Sequence, residues 1–229
     1  MVECSRRQVI LSAALLAAFA GSARPATASE PQRVIDKARI VVDAFLDDPD
    51  FAKMRVYVQN AYGVLIIPDL LKGGFFIGAE HGTGVLLARD PQSGAWSEPA
   101  FYDIYGGSFG LQMGGQSSDA VFTLMNPGAV QKLLNARFKL GADASVAVGE
   151  IGARVGAGTT VHFGEDVYVF ARNNGLYGGL ALDGTYAKPL LDWNQAYYGQ
   201  SLTAEQIVRQ RAVNGVPGTQ GLRDTLARF

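Results

Sequence analysis

Residues 75–89 read Phe75-Phe76-Ile77-Gly78-Ala79-Glu80-His81-Gly82-Thr83-Gly84-Val85-Leu86-Leu87-Ala88-Arg89. Two runs of strand length bracket a glycine-rich tetrad, which is the pattern of a hairpin. We expect strands at 75–80 and 85–89 with a turn at His81-Gly82-Thr83-Gly84. Just upstream, Val64-Leu65-Ile66-Ile67 is a short, wholly apolar run of the buried-strand kind. The same language continues to about Tyr198. Runs at 101–105 and 108–113 flank Gly106-Gly107, and others fall at 119–124, 145–149, 154–161 and 167–172. Asn174-Gly175, between runs at 167–172 and 176–180, and Asp183-Gly184, between runs at 180–182 and 185–187, supply the positive φ angles of tight hairpins. Most connections are too short for parallel crossovers, so the sheet is expected to be largely antiparallel. This many strands should curl into a barrel or a packed double sheet.

Helices surround the strands. In residues 30–46, Ile35, Ala38, Val42, Phe45 and Leu46 share one face, with Ser29 as N-cap and Pro31 in the first turn. Its charge is mixed and not basic, which favours a helix packed on the sheet over one lying on a membrane. Asp48-Pro49 stops it and opens a second short helix at 50–60. We read Asp47, Asp48 and Asp50 as a capped junction and not as a cation site. Asn126-Pro127 starts a central helix carrying Val130, Leu133, Leu134, Phe138 and Leu140, with Gly141 as its stop. Thr203-Ala204-Glu205-Gln206 is a capping box, opening a helix that should run to near Gly215. Residues 215–221 read as a Gly/Pro linker and 222–229 as a frayed helical turn. The fold class expected is α+β: a largely antiparallel, glycine-rich curled sheet or barrel-like β core with N-terminal, central and C-terminal helices packed on it.

The chain has 229 residues, 48% hydrophobic and 18% charged, with 20 Lys+Arg against 21 Asp+Glu. This is globular composition and excludes a disordered chain. A net charge of −1 gives no support to nucleic-acid binding, which wants a basic excess. The 28 glycines exceed the usual share of about 7% and suit turns and close strand packing. Residues 1–28 read as a cleaved export signal. Ser5-Arg6-Arg7-Gln8-Val9-Ile10-Leu11 resembles a twin-arginine start, and Ala26-Thr27-Ala28 resembles a cleavage site. The apolar run from Val9 to Ala20 has 12 residues, too short for a bilayer span of about 20. The segment holds three arginines, one glutamate and Cys4. Residues 29–229 keep 17 basic and 20 acidic groups and no cysteine, so neither thiol nor disulfide chemistry is expected. They are expected to form a single domain.

Catalytic and metal signatures are thin. His81 and His162 are the two histidines of the sequence, and neither sits in a metal-ligand spacing, so no metal or other cofactor is expected. His81 reads as an exposed turn residue. Gly106-Gly107-Ser108-Phe109-Gly110 matches Gly-x-Ser-x-Gly, and a hydrolase would use Ser108, Asp143 and His162. A nucleophile elbow needs a helix straight after the serine, and Leu111-Gln112-Met113-Gly114-Gly115 reads as strand and turn instead. Neither a dinucleotide nor a phosphate-binding loop is present. Lys72 stands out, between Asp69-Leu70-Leu71 and Gly73-Gly74-Phe75-Phe76. An ammonium beside glycines and aromatics can meet a lipid phosphate while the apolar groups touch acyl chains.

These residues resemble the SYLF domain family. The resemblance runs through Ala61-Tyr62-Gly63-Val64-Leu65-Ile66-Ile67-Pro68, Leu71-Lys72-Gly73-Gly74-Phe75, Gly82-Thr83-Gly84-Val85-Leu86 and Trp96-Ser97-Glu98-Pro99-Ala100-Phe101. It continues through Gly106-Gly107-Ser108-Phe109-Gly110-Leu111-Gln112, Leu140-Gly141-Ala142-Asp143-Ala144-Ser145-Val146-Ala147, Val167-Tyr168 and Gly175-Leu176-Tyr177-Gly178-Gly179. It implies a lipid-binding module, with Lys72 on the family's basic position. Arg33, Lys37 and Arg39 partly reproduce a basic N-terminal segment found in eukaryotic members. The expectation is therefore a non-enzymatic phospholipid-binding protein of the periplasm or cell envelope, with no nucleic-acid partner and protein partners left open. Its expected contacts are Lys72, Phe75, Phe76, Arg39 and Lys37. Lys72→Glu is expected to weaken lipid binding without unfolding the chain. The alternatives are an envelope lipid hydrolase using Ser108 and His162, or a structural module that binds a protein.

Overall fold

The computed structural model describes residues 29–74, 77–109, 114–135, 138–149, 164–173 and 185–229. Its elements in chain order are α1 (Glu30–Asp47), a 3-10 turn (Pro49–Phe51), α2 (Met54–Asn60), β1 (Gly63–Gly74), β2 (Ile77–Ala88), β3 (Ala100–Phe109) and β4 (Gly114–Leu124). They continue with α3 (Pro127–Leu134), β5 (Phe138–Lys139), β6 (Val146–Val148), β7 (Val167–Asn173), β8 (Thr185–Pro189), α4 (Leu191–Tyr198), α5 (Ala204–Val208) and α6 (Pro217–Leu226). The fold is α+β, as expected. One eight-stranded sheet, in the order β5-β8-β3-β2-β1-β4-β7-β6, curls strongly into a half-barrel. Its described pairings are antiparallel except β6 with β7.

Both faces of the sheet are buried along most of its width, because alternate side chains serve two cores. On the outward face Val64, Ile66, Val85, Leu87 and Phe101 meet Ile35, Val42 and Phe45 of α1, Tyr57 and Val58 of α2, and Leu222 and Leu226 of α6. On the inward face Leu65, Ile67, Leu86, Tyr102 and Phe122 meet Leu133 of α3 and Ile207 of α5. Helix α3 touches both β4 and β8, which three strands separate in the sheet order. Only a sheet wrapped around that helix allows both contacts, so the inward face is the concave one. Tyr102 anchors the arrangement by donating its hydroxyl to the Leu133 carbonyl at 2.9 Å. Burial raises the pKa of that phenol far above its ordinary value.

The helix starts follow the sequence signals. Ser29 caps α1, Asn126 caps α3, and Thr203 with Gln206 forms a reciprocal capping box on α5. The Asp48 carboxylate accepts the Asp50 N–H at 3.0 Å, which makes the acidic cluster a capped junction.

Six expectations are corrected. His81-Gly82-Thr83-Gly84 is not a turn but the middle of β2. Gly82 and Gly84 lie two apart and face the same side. A Cβ on Gly84 would stand 1.9 Å from the Ile66 carbonyl oxygen, and one on Gly82 would stand 2.7 Å from Ile67 Cγ2. These glycines let β1 fold closely over β2 where β1 carries a bulge. Its register against both neighbours shifts between Ile66 and Leu71, and Asp69 sits at φ +54°. A bulge bends a strand and tightens its twist, which the curl of this sheet requires. Gly106-Gly107 likewise lies inside a continuous β3.

The central helix stops at Leu134, and Phe138–Lys139 pairs with β8 as β5. Helix α4 fills part of the region read as strands up to Tyr198, and it lacks a side-chain N-cap to announce it. Helix α5 ends at Val208, and residues read as a linker belong to α6. The cap of α6 comes from elsewhere in the chain. Glu98, fully buried, accepts the Val216 N–H at 3.2 Å and the Thr219 hydroxyl, and Arg223 lies 3.4 Å away. A carboxylate at a helix start satisfies orphan N–H groups and complements the helix dipole. The runs at 154–161 and 176–182 and both tight-turn dipeptides lie outside the described residues.

Candidate functional site

The β1 bulge decides what each residue beyond it can touch. Past Asp69, register partners line up in two adjacent rows. The first is Lys72, Glu80, Gly106 and Thr185 across β1, β2, β3 and β8. The second is Leu71, His81, Tyr105 and Tyr186 across the same strands, with Lys139 of β5 beyond Tyr186. Neighbouring rows of a sheet point to opposite faces. Leu70 belongs to the concave core, so the Lys72 row points inward and the Leu71 row outward.

The inward row is an ion-pair site. Lys72 Nζ lies 2.7 Å from Glu80 Oε2, with the two side chains 20% and 9% exposed. The Thr185 hydroxyl donates to the other Glu80 oxygen. A Cβ on Gly106 would stand 2.6 Å from that oxygen, so glycine makes room for the carboxylate. Ser118 adds a further buried polar group on this side. Lys72, the leading sequence candidate, is thus held by Glu80 within the curl. Charge reversal there would set one carboxylate against another, so Lys72→Glu tests folding together with binding.

The outward row is mixed apolar, aromatic and basic. Leu71 is 56% exposed. Tyr105 and Tyr186 stack with ring centroids 5.7 Å apart and planes 19° apart. Lys139 Nζ lies 5.6 Å from the Tyr186 ring centre. His81, its side chain 63% exposed, places Nε2 2.8 Å from Asp103, whose register partner on β8 is the exposed Lys188. His81 is exposed as expected, but on a strand.

The remaining sequence candidates fall elsewhere. Lys37 and Arg39 sit on the solvent side of α1. Lys37 reaches Asp69 at 2.6 Å, and Arg39 lies 3.7 Å from Asp43. Lys37 thereby ties α1 to the bulge on the outward face, away from the inward Lys72. The structure does not bring Lys72, Lys37 and Arg39 together as one site. Phe75 and Phe76 lie outside the described residues, between the end of β1 and the start of β2. Ser108 is in β3, in register with Gly78, and the next described element is the strand β4. Asp143 accepts the Lys139 N–H at 2.6 Å, and His162 lies outside the described residues. Among the described residues, no cluster of His, Cys, Asp or Glu is placed to hold a metal ion. No described helix is long and apolar enough to cross a membrane.

Residues 105–229, which carry part of both rows and α6 but not Glu98, match the family described as Ysc84, Las17-binding protein actin regulator. The chain belongs to this family. It is the family that the SYLF resemblance named. Among similar proteins, the SH3 domain-containing YSC84-like protein 1 of Xenopus laevis is 31% identical over 144 residues, 62% of this chain and 42% of the relative. Its Homo sapiens counterpart is 29% identical over 152 residues, 66% of this chain and 44% of the relative. The LAS seventeen-binding protein 3 of Saccharomyces cerevisiae is 29% identical over 157 residues, 67% of this chain and 34% of the relative. The matched stretch spans less than half the length of each.

The sequence reading missed the outward row of this Ysc84-family chain, because register alone assembles it. It also missed Arg89, Arg209 and Arg211. These three line a cavity of about 430 Å3 at the opposite end of β1, with Tyr62, Val130 and Leu134. The dense Arg209-Gln210-Arg211 run just past α5 was the available signal.

Proposed function

We propose that this chain is a non-enzymatic phospholipid-binding module acting at the surface of an anionic membrane of the cell envelope, after export. The outward row carries this reading. Leu71 offers exposed apolar surface, the stacked tyrosines offer amphipathic rings, and Lys139 and Lys188 offer cations on the same face. Aromatic rings with a polar tip suit the headgroup layer. A lysine near an anionic bilayer contributes about 1 kcal/mol. The lipid-binding module that the SYLF resemblance implies supports the reading, as does the export-type reading of residues 1–28. Phe75 and Phe76, which follow Lys72-Gly73-Gly74 in sequence, are the further apolar contacts proposed. Lys72, Lys37 and Arg39 take part as cations already held by protein carboxylates.

The test is co-sedimentation with vesicles of phosphatidylcholine containing phosphatidylglycerol. Binding is expected at low ionic strength and should fall as salt screens surface charge. Lys139→Gln with Lys188→Gln should weaken it about thirtyfold, from two lysines each worth about 1 kcal/mol. Absence of sedimentation at low salt would sink the reading. It would leave a protein-binding role, of the kind the name Las17-binding protein gives the family, as the one to pursue.

A further inference from the structure

We propose that the cavity walled by Arg89, Arg209 and Arg211 binds the phosphate head of a single anionic amphiphile, whose chain lies against Val130 and Leu134. This site is separate from the outward row: it lies at the other end of β1 and takes a molecule, not a bilayer.

The cations are unusual in how they are partnered. Arg89 stacks over the Trp96 ring at 4.6 Å and donates to the Gln59 carbonyl at 2.6 Å. Its Nε is buried with no acceptor among the described residues. Arg211 donates to the Ala88 and Ala95 carbonyls at 3.3 and 3.1 Å. Its backbone is held at φ +55°, a region that non-glycine residues rarely occupy. Among the described residues, neither guanidinium has a carboxylate within ion-pair distance. Burial lowers the pKa of both below the ordinary guanidinium value; at Arg211 the Asp90 and Glu98 carboxylates offset that lowering only in part, and the Arg223 cation adds to it.

Other charges around the cavity offset this only in part. Asp90 lines it too, but its Oδ1 is occupied by the N–H groups of Gln92 and Ser93 and the Ser93 hydroxyl. Those bonds, Ser93's first, hold the Asp90 carboxyl below its usual range. Arg209 donates to Gln131 and lies 3.8 Å from Glu205. The cavity volume, about 430 Å3, lies within the ordinary range for small-ligand sites. Planar guanidinium forks match phosphate oxygens geometrically, and apolar walls beside them suit a molecule with both kinds of surface.

The experiment is calorimetric titration of the purified chain with monomeric dihexanoyl phosphatidic acid and, separately, with inorganic phosphate. The lipid should bind saturably, one per chain, and about tenfold more tightly than phosphate. Gln131→Glu adds a carboxylate at the cavity without removing a guanidinium, and should weaken lipid binding about tenfold. Arg211→Lys, which keeps the charge but loses the fork, should also weaken it. Lys139→Gln should leave it within about twofold, so failure here and failure at the outward row are separable. A lipid that never saturates the chain at low salt overturns the proposal. So does a Gln131→Glu chain of unchanged melting temperature and unchanged affinity. Equal affinity for phosphate and lipid overturns the part assigned to the apolar wall.

Discussion

The two ends of the β1–β2 ribbon are made of different materials. Near α2, Val64, Leu65, Ile66 and Ile67 lie against Val85, Leu86 and Leu87, all essentially without solvent contact and with helices on both faces. Beyond the bulge the ribbon becomes Leu71, Lys72, Gly73 and Gly74 beside Ala79, Glu80 and His81. There the inward face holds an ion pair and the outward side chains reach solvent. One inserted residue separates them. The first end holds the domain together; the second carries the charged and exposed side chains that we propose as the contact surface.

The sharpest way to break this comparison is at the buried end. Glu98→Ala removes the carboxylate that caps α6 and leaves Arg223, its side chain 18% exposed, without its partner. A loss of about 3–5 kcal/mol is expected from breaking a buried pair. Urea unfolding measures it, and a loss below about 1 kcal/mol would show that α6 does not depend on the latch. Gly84→Ala comes next. A Cβ there lies 1.9 Å from a backbone oxygen, so the strands must part. We expect about 3 kcal/mol, at the upper end of overpacking costs. A crystal structure of that variant with β1 and β2 unmoved would refute the role given to the glycine.

At the open end the effects shrink. Lys72→Met keeps the aliphatic stem and leaves Glu80 with Thr185. The pair is only partly shielded, so about 1–2 kcal/mol is expected, less than from Lys72→Glu. Thermal melts of the two variants side by side test that ordering. Leu71→Ser should change stability by no more than about 0.5 kcal/mol, because the side chain is already exposed. It should nonetheless reduce vesicle binding. Equal binding by the variant and the parent would remove Leu71 from the contact surface and blur the distinction between the two ends.

Much of the fold was legible. Ser29, Asn126 and the Thr203–Gln206 box announced three helix starts because each cap is a local hydrogen bond. The antiparallel sheet followed from short connections. Two of the misreadings share one cause, which is that glycine means two things. At 81–84 and 106–107 it signalled turns, whereas in the structure it permits close approach inside long strands. Helix α6 was hidden because its cap comes from Glu98, more than a hundred residues away. Of the candidate site, Lys72 was visible as a basic residue beside glycines, but its ion pair with Glu80 was not, since strand register creates that pair.

Local chemistry therefore settled which segments are apolar, where several helices begin, and that the body is a curled sheet with helices. These depend on a few neighbouring side chains and their spacing. Tertiary structure alone decided which face each residue occupies, since one bulged residue at Asp69 sets the phase of all that follows in β1. It alone joined Leu71, His81, Tyr105, Tyr186 and Lys139 into a row, and Arg89 to Arg209 and Arg211 around a cavity. Register and packing act between distant parts of the chain, so no stretch of sequence read by itself contains them.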